Sequence, residues 1–386
     1  MDPAVQAAVE AIQSGRLPSD EDTIDVATLL VRAATAPETP AAAAAAARAA
    51  FIELFHSDAH AAAAVAALLE PAARQALVAA LEGGGHAALD AAQILLGVTN
   101  GSPVGGVYTL DTRNRIAGTA GMIESMVIAL GRFTRAVLTL PEADSDRNLQ
   151  RAFRGLCYVL ERFRQCDGCA ARIFAAPGGV GAIVAAGRAW GPQSGLTFIT
   201  IMRLFQALIN VGADAARALL AEEGVLGMVV KAAGAEDDHI VTGALTTLRL
   251  VASADAEIAG RIITDAPARA ALTCAAVTGT ACEKARAAGR DALRAIARAG
   301  HAAAVAVALR PCLAAPADNA ERGRVRKVLM TFLPAPAVDV LEAVTREEEV
   351  EAAALRAEVA ELRAIPVNKR AAIIELAAAV RATSRR

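Results

Sequence analysis

Four short apolar segments recur along the chain at nearly constant intervals, and that period constrains the fold more than any single motif. With Leu208, Leu248 and Leu293 as equivalent positions in the segments 207–211, 245–250 and 292–296, the spacings are 40 and 45 residues. Leu160, within 158–163, is an earlier counterpart 48 residues before Leu208. Self-similarity on this scale marks an array of supersecondary units, each too small to bury its own apolar face. A second feature recurs between the anchors. Gly179 lies 19 residues after Leu160 and Gly224 lies 16 after Leu208, each followed by a short apolar run. Glycine supplies the positive φ, or the close backbone approach, that a tight turn between two helices needs.

Composition says what the units are made of. Of 386 residues, 99 are alanine and only 3% are aromatic. Alanine is the best helix former because it loses no side-chain entropy, and few runs carry the Val, Ile, Thr and aromatic content of strands. The length corresponds to two or three domains, or to one long array. Within one helix, Leu149, Phe153, Leu156, Leu160 and Phe163 follow in steps of four, three, four and three, which makes one buried stripe. Asp144 or Asp146 is expected to cap its start.

The units resemble armadillo repeats over residues 144–300, a family built from one short and two longer helices with a glycine pair before the second. Segments 169–175, 179–190 and 197–211 match one such unit, and 213–221, 225–233 and 240–252 match the next. Asn210 sits where the third helix of many armadillo repeats carries an asparagine. In a third unit, Asp265, Ala266 and Pro267 stand where the glycine pair belongs. Segments 42–55, 60–69, 72–81 and 87–96 read as an earlier unit. The resemblance implies an all-α, right-handed α-solenoid of armadillo-type three-helix repeats. On this reading 1–100 are acidic N-terminal helical repeats, 101–118 a loop insertion and 119–313 the armadillo-like core. Residues 314–386 are irregular C-terminal helices forming a cap, with a charged stretch at 338–363 and a last amphipathic helix at 369–381.

Mean hydropathy is +0.39, a value that comes from alanine runs such as 41–47 and 61–64. No stretch of 18 strongly apolar residues is apparent in the sequence, so a membrane span is not expected. The N-terminus carries Asp2 and Glu10 before any basic residue, unlike a secretory or transit peptide, so cytosol is the expected compartment, with the nucleus also open. Six scattered cysteines suit a reducing environment. Net charge is -2 overall, but residues 1–100 carry -8 and the remainder +6.

Catalytic signals are absent from the sequence: there is no nucleophile elbow, phosphate loop or dinucleotide fingerprint, so neither an enzyme nor a cofactor is expected. Cys166 and Cys169 form a CxxC that follows a helix, without the βαβ setting of a redox motif or the second pair of a zinc site. Buried inert thiols are its plain reading and redox sensitivity its second. His56 and His60 are spaced to share a helix face, yet Asp58 is expected to start a new helix and part them. His86, His239 and His301 each stand near a helix start with no nucleophile or acid at motif spacing.

Arginine carries more weight, with 35 arginines against four lysines. Arg286, Arg290, Arg294 and Arg298 recur every four residues on one helix face, and Arg147, Arg151 and Arg154 form a similar stripe opposite Phe153 and Leu160. Arg324, Arg326 and Lys327 are a weaker third cluster. Because the resemblance implies that third helices line the concave groove, these two stripes join Arg203, Gln206, Asn210 and Arg249 as the expected partner-binding set. Guanidinium pairs bidentately with carboxylate and phosphate, so an acidic or phosphorylated protein segment is the expected partner. The plain alternative is a solvated face whose arginines pair with carboxylates nearby. A polyanion such as nucleic acid or phospholipid is the competing ligand, and few aromatics to stack bases make nucleic acid unlikely. Import adaptors of the armadillo type place Trp and Asn four residues apart; Gln206 precedes Asn210 here and Trp190 falls in a second helix, so that role is rejected. Circular dichroism is expected to show well over half helix, where ordinary domains lie near about a third; less than half would reject the fold reading.

Overall fold

The computed structural model describes residues 2–16, 20–57, 60–100, 109–139, 147–190, 195–278, 282–314 and 319–331, with isolated positions as far as Ala357. No strand occurs among them. Three helices come first: α1 (Pro3–Gln13), α2 (Asp20–Thr35) and α3 (Ala41–His56). Five three-helix units follow. They are α4 (Ala61–Leu69), α5 (Pro71–Gly83) and α6 (Gly85–Asn100); then α7 (Leu110–Ala117), α8 (Met122–Thr139) and α9 (Arg147–Phe163). The third is α10 (Cys169–Ala175), α11 (Gly179–Trp190) and α12 (Leu196–Ile209), and the fourth is α13 (Ala213–Ala221), α14 (Val225–Ala233) and α15 (Asp238–Ala254). The last is α16 (Ala256–Thr264), α17 (Ala266–Thr273) continuing into a π-turn at Cys274–Thr278, and α18 (Glu283–Ile296). After them come α19 (Ala302–Ala314) and α20 (Asn319–Leu329).

Each unit opens with a short helix of seven to nine residues. It meets the second helix at a sharp corner, of 71°, 77° and 93° in the first three units. The corner is built in two ways. Gly121, Gly178 and Gly224 take positive φ of 79°, 70° and 76° before α8, α11 and α14, a conformation that costs other residues about 1–2 kcal/mol. Pro71 and Pro267 open α5 and α17 instead, with φ preset for a helix start. At Asp265, where the sequence lacks its glycine pair, the carboxylate accepts the Ala268 N–H at 2.8 Å and caps α17, so the break survives by different chemistry.

All four sequence anchors, Leu160, Leu208, Leu248 and Leu293, are buried in third helices. Consecutive third helices stack side by side, α6 on α9, α9 on α12, α12 on α15 and α15 on α18. One apolar core runs through the stack from Val5 to Val338. Close approach is part of that packing: a Cβ on Gly155 of α9 would come within 3.0 Å of the Leu96 side chain on α6.

Two expectations change. Leu110–Ala117 is helix, capped by Thr109, in what the sequence suggested was a loop insertion; residues 101–108 lie outside the described residues. The helix was hard to see because only Thr112, Ile116 and Ala117 are buried in a polar run. The helical run Glu283–Arg310 is also apolar enough, by length and composition alone, to qualify as a membrane-spanning helix, with an 18-residue window of mean hydropathy 1.3. Half of that window is buried inside the protein, and Gly300, at φ 101°, kinks the run. The suggested caps Asp144 and Asp146, the charged stretch within 338–363 for the most part, and the helix at 369–381 fall outside the described residues.

Neighbouring units are also clamped. Arg172 of α10 donates to Ala117 O (2.6 Å) and Thr119 O (3.3 Å) and holds Glu124 through both carboxylate oxygens, at 3.0 and 2.7 Å. The Arg172 hydrogen bonds keep the Glu124 carboxyl below its ordinary value of 4.5. A depressed carboxylate stabilises the fold above its unfolded pKa and loses that contribution as pH falls through the folded one. Unfolding midpoints in acid should therefore fall less steeply in Glu124→Gln than in the wild type. The corners make a second test. Gly224→Ala adds left-handed strain with open space around the new methyl and should cost about 1 kcal/mol. Gly179→Ala drives a Cβ into the Ile173 carbonyl oxygen and should cost about 3 kcal/mol, as read by urea denaturation.

Candidate functional site

Stacking leaves α9, α12, α15 and α18 each with a buried face and a side that lines a cleft. On α9, Leu149, Phe153, Leu156, Leu160 and Phe163 are buried, while Arg147, Arg151 and Arg154 are exposed on the far side. Arg203 of α12 joins them, and the four guanidinium groups line a cleft of about 910 Å3 bounded by α6, α9, α12 and α15. Leu96, Ile199 and Leu196 supply apolar wall, and Leu196 is 82% exposed. Hydroxyl groups come from Tyr158, Thr197, Thr200, Thr242 and Thr246, with Gln150 and His239 completing the polar lining. Among the described residues no carboxylate lines this cleft.

Two sets of contacts hold its walls in place. Gln206 donates to Gly243 O at 3.0 Å and to the Thr247 hydroxyl at 3.3 Å, joining α12 to α15. Seven residues after Arg154 on the same helix face, Glu161 has a side chain only 3% exposed. Its Oε1 lies 3.2 Å from Arg164 Nε and 3.6 Å from Arg203 Nη1, which ties the guanidinium of α12's arginine to α9. Arg162 donates to the Tyr158 hydroxyl at 2.9 Å and stacks 4.8 Å above that ring, fixing the phenol side chain that lines the cleft.

The α18 stripe is organised differently. Glu283, on the same helix, receives Arg286 at 2.9 Å on one oxygen and Arg290 at 2.6 Å on the other. These two arginines hold its carboxyl below the ordinary carboxylate range, Arg290 most strongly. Glu283 also supplies the compensation that like charges four residues apart require. Arg286 and Arg290 line neither cleft. Arg294, paired with Asp291 at 2.8 Å, and Arg298 line a second cleft of about 510 Å3 with Arg249 and Ser253 of α15. Asn210 is exposed at the C-terminal end of α12 and faces neither cleft. The structure thus gathers Arg147, Arg151, Arg154, Arg203 and Gln206 in one place and Arg249, Arg294 and Arg298 in another.

Sequence reasoning missed Tyr158, Leu196, Thr200 and Glu161. A lone glutamate beside Leu160 in an apolar stripe was the available signal for the last; Leu196 reads as core until the neighbouring helices are placed.

Three of the histidines, His60, His86 and His301, have structural partners. His56 ends α3 and His60 precedes α4, so they stand on different elements. His60 Nδ1 lies 3.3 Å from the Thr23 hydroxyl, His86 Nε2 2.9 Å from Thr39 O, and His301 Nε2 2.8 Å from Ala256 O. Among the described residues no three His, Cys, Asp or Glu side chains converge as a metal site requires. Burial pushes the Cys157 thiol up to about 12. Glu161 is the residue on which the cleft's geometry turns. Glu161→Ala, which strips the arginines of a buried acceptor, should cost about 2 kcal/mol in denaturant unfolding, whereas Arg203→Ala, at a half-exposed side chain, should cost below about 1 kcal/mol.

No family model matches the chain, and no curated protein matches it in sequence. Among solved structures it is similar to an engineered protein from the Northeast Structural Genomics Consortium, at TM-score 0.51 and 18% identity, covering 71% of this chain and 97% of the other. A designed armadillo repeat protein aligns at TM-score 0.47 and 14% identity over 70% and 99% of the two chains, and a second engineered protein at 0.37 and 17% over 90% and 99%. With its stacked units of one short and two further helices, the chain has an armadillo-like helical-repeat fold, an all-α solenoid.

Proposed function

We propose that the protein is a non-catalytic scaffold that holds a partner protein on its concave face, with an acidic or phosphorylated segment of the partner seated on Arg147, Arg151, Arg154 and Arg203. One observation carries this reading: four guanidinium groups share a cleft that no described carboxylate lines, beside exposed aliphatic surface at Leu196. Guanidinium forks bind carboxylate and phosphate bidentately, and an apolar wall next to them lets a side chain of the partner add buried area. Solenoids present long surfaces on which an extended segment makes many modest contacts. The α18 arginines contribute less on this reading, since Glu283 and Asp291 already take three of the four.

Affinity purification from the native source at low and high salt, followed by mass spectrometry, tests it. A defined acidic or phosphorylated protein should be captured at low salt and lost at high salt. Arg147→Glu with Arg151→Glu, at exposed positions, should abolish capture while helical circular dichroism and thermal midpoint stay within a few degrees of the wild type. Capture by that double variant at the wild-type level would end the groove reading. Retention on heparin with nucleic acid as the recovered material would favour a polyanion ligand instead.

A further inference from the structure

We propose that Cys166 and Cys169 are a peroxide-oxidisable dithiol that closes to a disulfide within the turn joining α9 to α10. The groove does not use this pair, and the proposal stands apart from the partner-binding reading.

Backbone geometry already brings the two residues together. The Cys169 N–H donates to Cys166 O at 3.2 Å, closing a four-residue turn. Gly168, third in the turn, has φ 69° and ψ -3°, a left-handed conformation that glycine adopts without steric cost. A closed turn holds its first and last Cα atoms within about 7 Å, and disulfides span Cα separations of about 4.4–6.8 Å. The closed turn thus holds the pair at a Cα separation of the kind that a disulfide bridges. The two side chains are close enough to interact, Cys166 acting as the donor toward Cys169. Arg113 and Asp167 lie near Cys166, and Arg172, Asp167 and Glu124 near Cys169. The hydrogen bond from Cys166, followed by the charge of Arg172, holds the Cys169 thiol below its ordinary range and makes it the nucleophile of the pair. Cys166 is raised, as donor of that bond and by burial, and is the resolving thiol.

Exposure selects the oxidant. Cys166 is 5% exposed and Cys169 2%, although the intervening Asp167 and Gly168 are on the surface. Hydrogen peroxide is close to water in size, whereas aromatic or tripeptide disulfides are far larger. The Cys169 thiolate attacks one peroxide oxygen, forming the S–O bond as the O–O bond breaks; the departing hydroxide takes a proton and leaves as water. Cys166 sulfur then attacks the sulfenic Cys169 sulfur, its proton joins the departing hydroxyl, and a second water is released. Two thiols lose two electrons and one peroxide gains them.

The full-length reduced protein is treated with a few equivalents of hydrogen peroxide, quenched with catalase, denatured and alkylated with N-ethylmaleimide. Four of the six cysteines should then be alkylated, and the peptide 165–172 should be two hydrogens lighter until dithiothreitol restores it. Without peroxide, the folded protein should react with a bulky aromatic disulfide at Cys274, which is exposed, at least tenfold faster than at the pair. Cys166→Ser should leave a sulfenic acid on Cys169 that dimedone labels, and Cys169→Ser should abolish labelling at the turn; if either unfolds, the alanine variants replace them. Six alkylated cysteines after peroxide, or oxidation confined to Cys274, Cys282 and Cys312, overturns the proposal. Dimedone labelling of Cys166 in place of Cys169 overturns the assignment of nucleophile.

Discussion

A third helix such as α15 has more apolar surface than its own unit can cover, and the rest of the structure follows from that. Ile240, Ala244, Leu245, Leu248 and Val251 are buried only because α12 and α18 flank the helix as well as α14. Each unit thus borrows its neighbour's surface, and one core extends through the described residues from Val5 to Val338. Small residues set how closely the helices approach. Gly155 lets Leu96 sit directly on α9, and alanine fills much of the interior where larger side chains would push the helices apart.

The same stacking determines the electrostatics of the groove. When both flanks of a third helix are occupied by other helices and its back by the second helix, polar residues are left one direction in which to point. On α9 that direction collects Arg147, Arg151 and Arg154. Whether such a stripe remains available depends on local neutralisation. Glu283 stands three and seven residues before Arg286 and Arg290 and takes both. Among the described residues the α9 stripe meets Glu161, seven residues after Arg154 on the same helix face, whose buried carboxylate holds Arg164 and the guanidinium of Arg203. The two stripes are therefore paired differently, one to a carboxylate at the start of its own helix and one to a buried carboxylate that also reaches the next unit.

The corners between first and second helices show how loosely sequence and geometry are coupled at one point and how tightly at another. Glycine at 121, 178 and 224 and proline at 71 and 267 produce the same break, since one permits a left-handed turn and the other forbids continuation of the preceding helix. A search for glycine pairs finds one of the five corners, at Gly178 and Gly179, and the single Gly224 marks another. Such a search passes over Gly121, and with it the short helix Leu110–Ala117, whose polar sequence carries almost no period.

By itself the sequence determined the helical content, the repeat length and the buried anchors Leu160, Leu208, Leu248 and Leu293, because helix propensity and a 3.6-residue apolar stripe are local properties of a chain. It also put the α9 arginines opposite that stripe. Only the tertiary structure decided which arginines share a cleft, since Arg203 reaches the α9 stripe from another unit. It decided too that Arg286 and Arg290 stand outside both clefts, and that a single closed turn brings Cys166 and Cys169 together. Those outcomes depend on how one helix is laid against the next, and a rotation of a few tens of degrees in that packing would change every one of them while leaving the repeat pattern untouched.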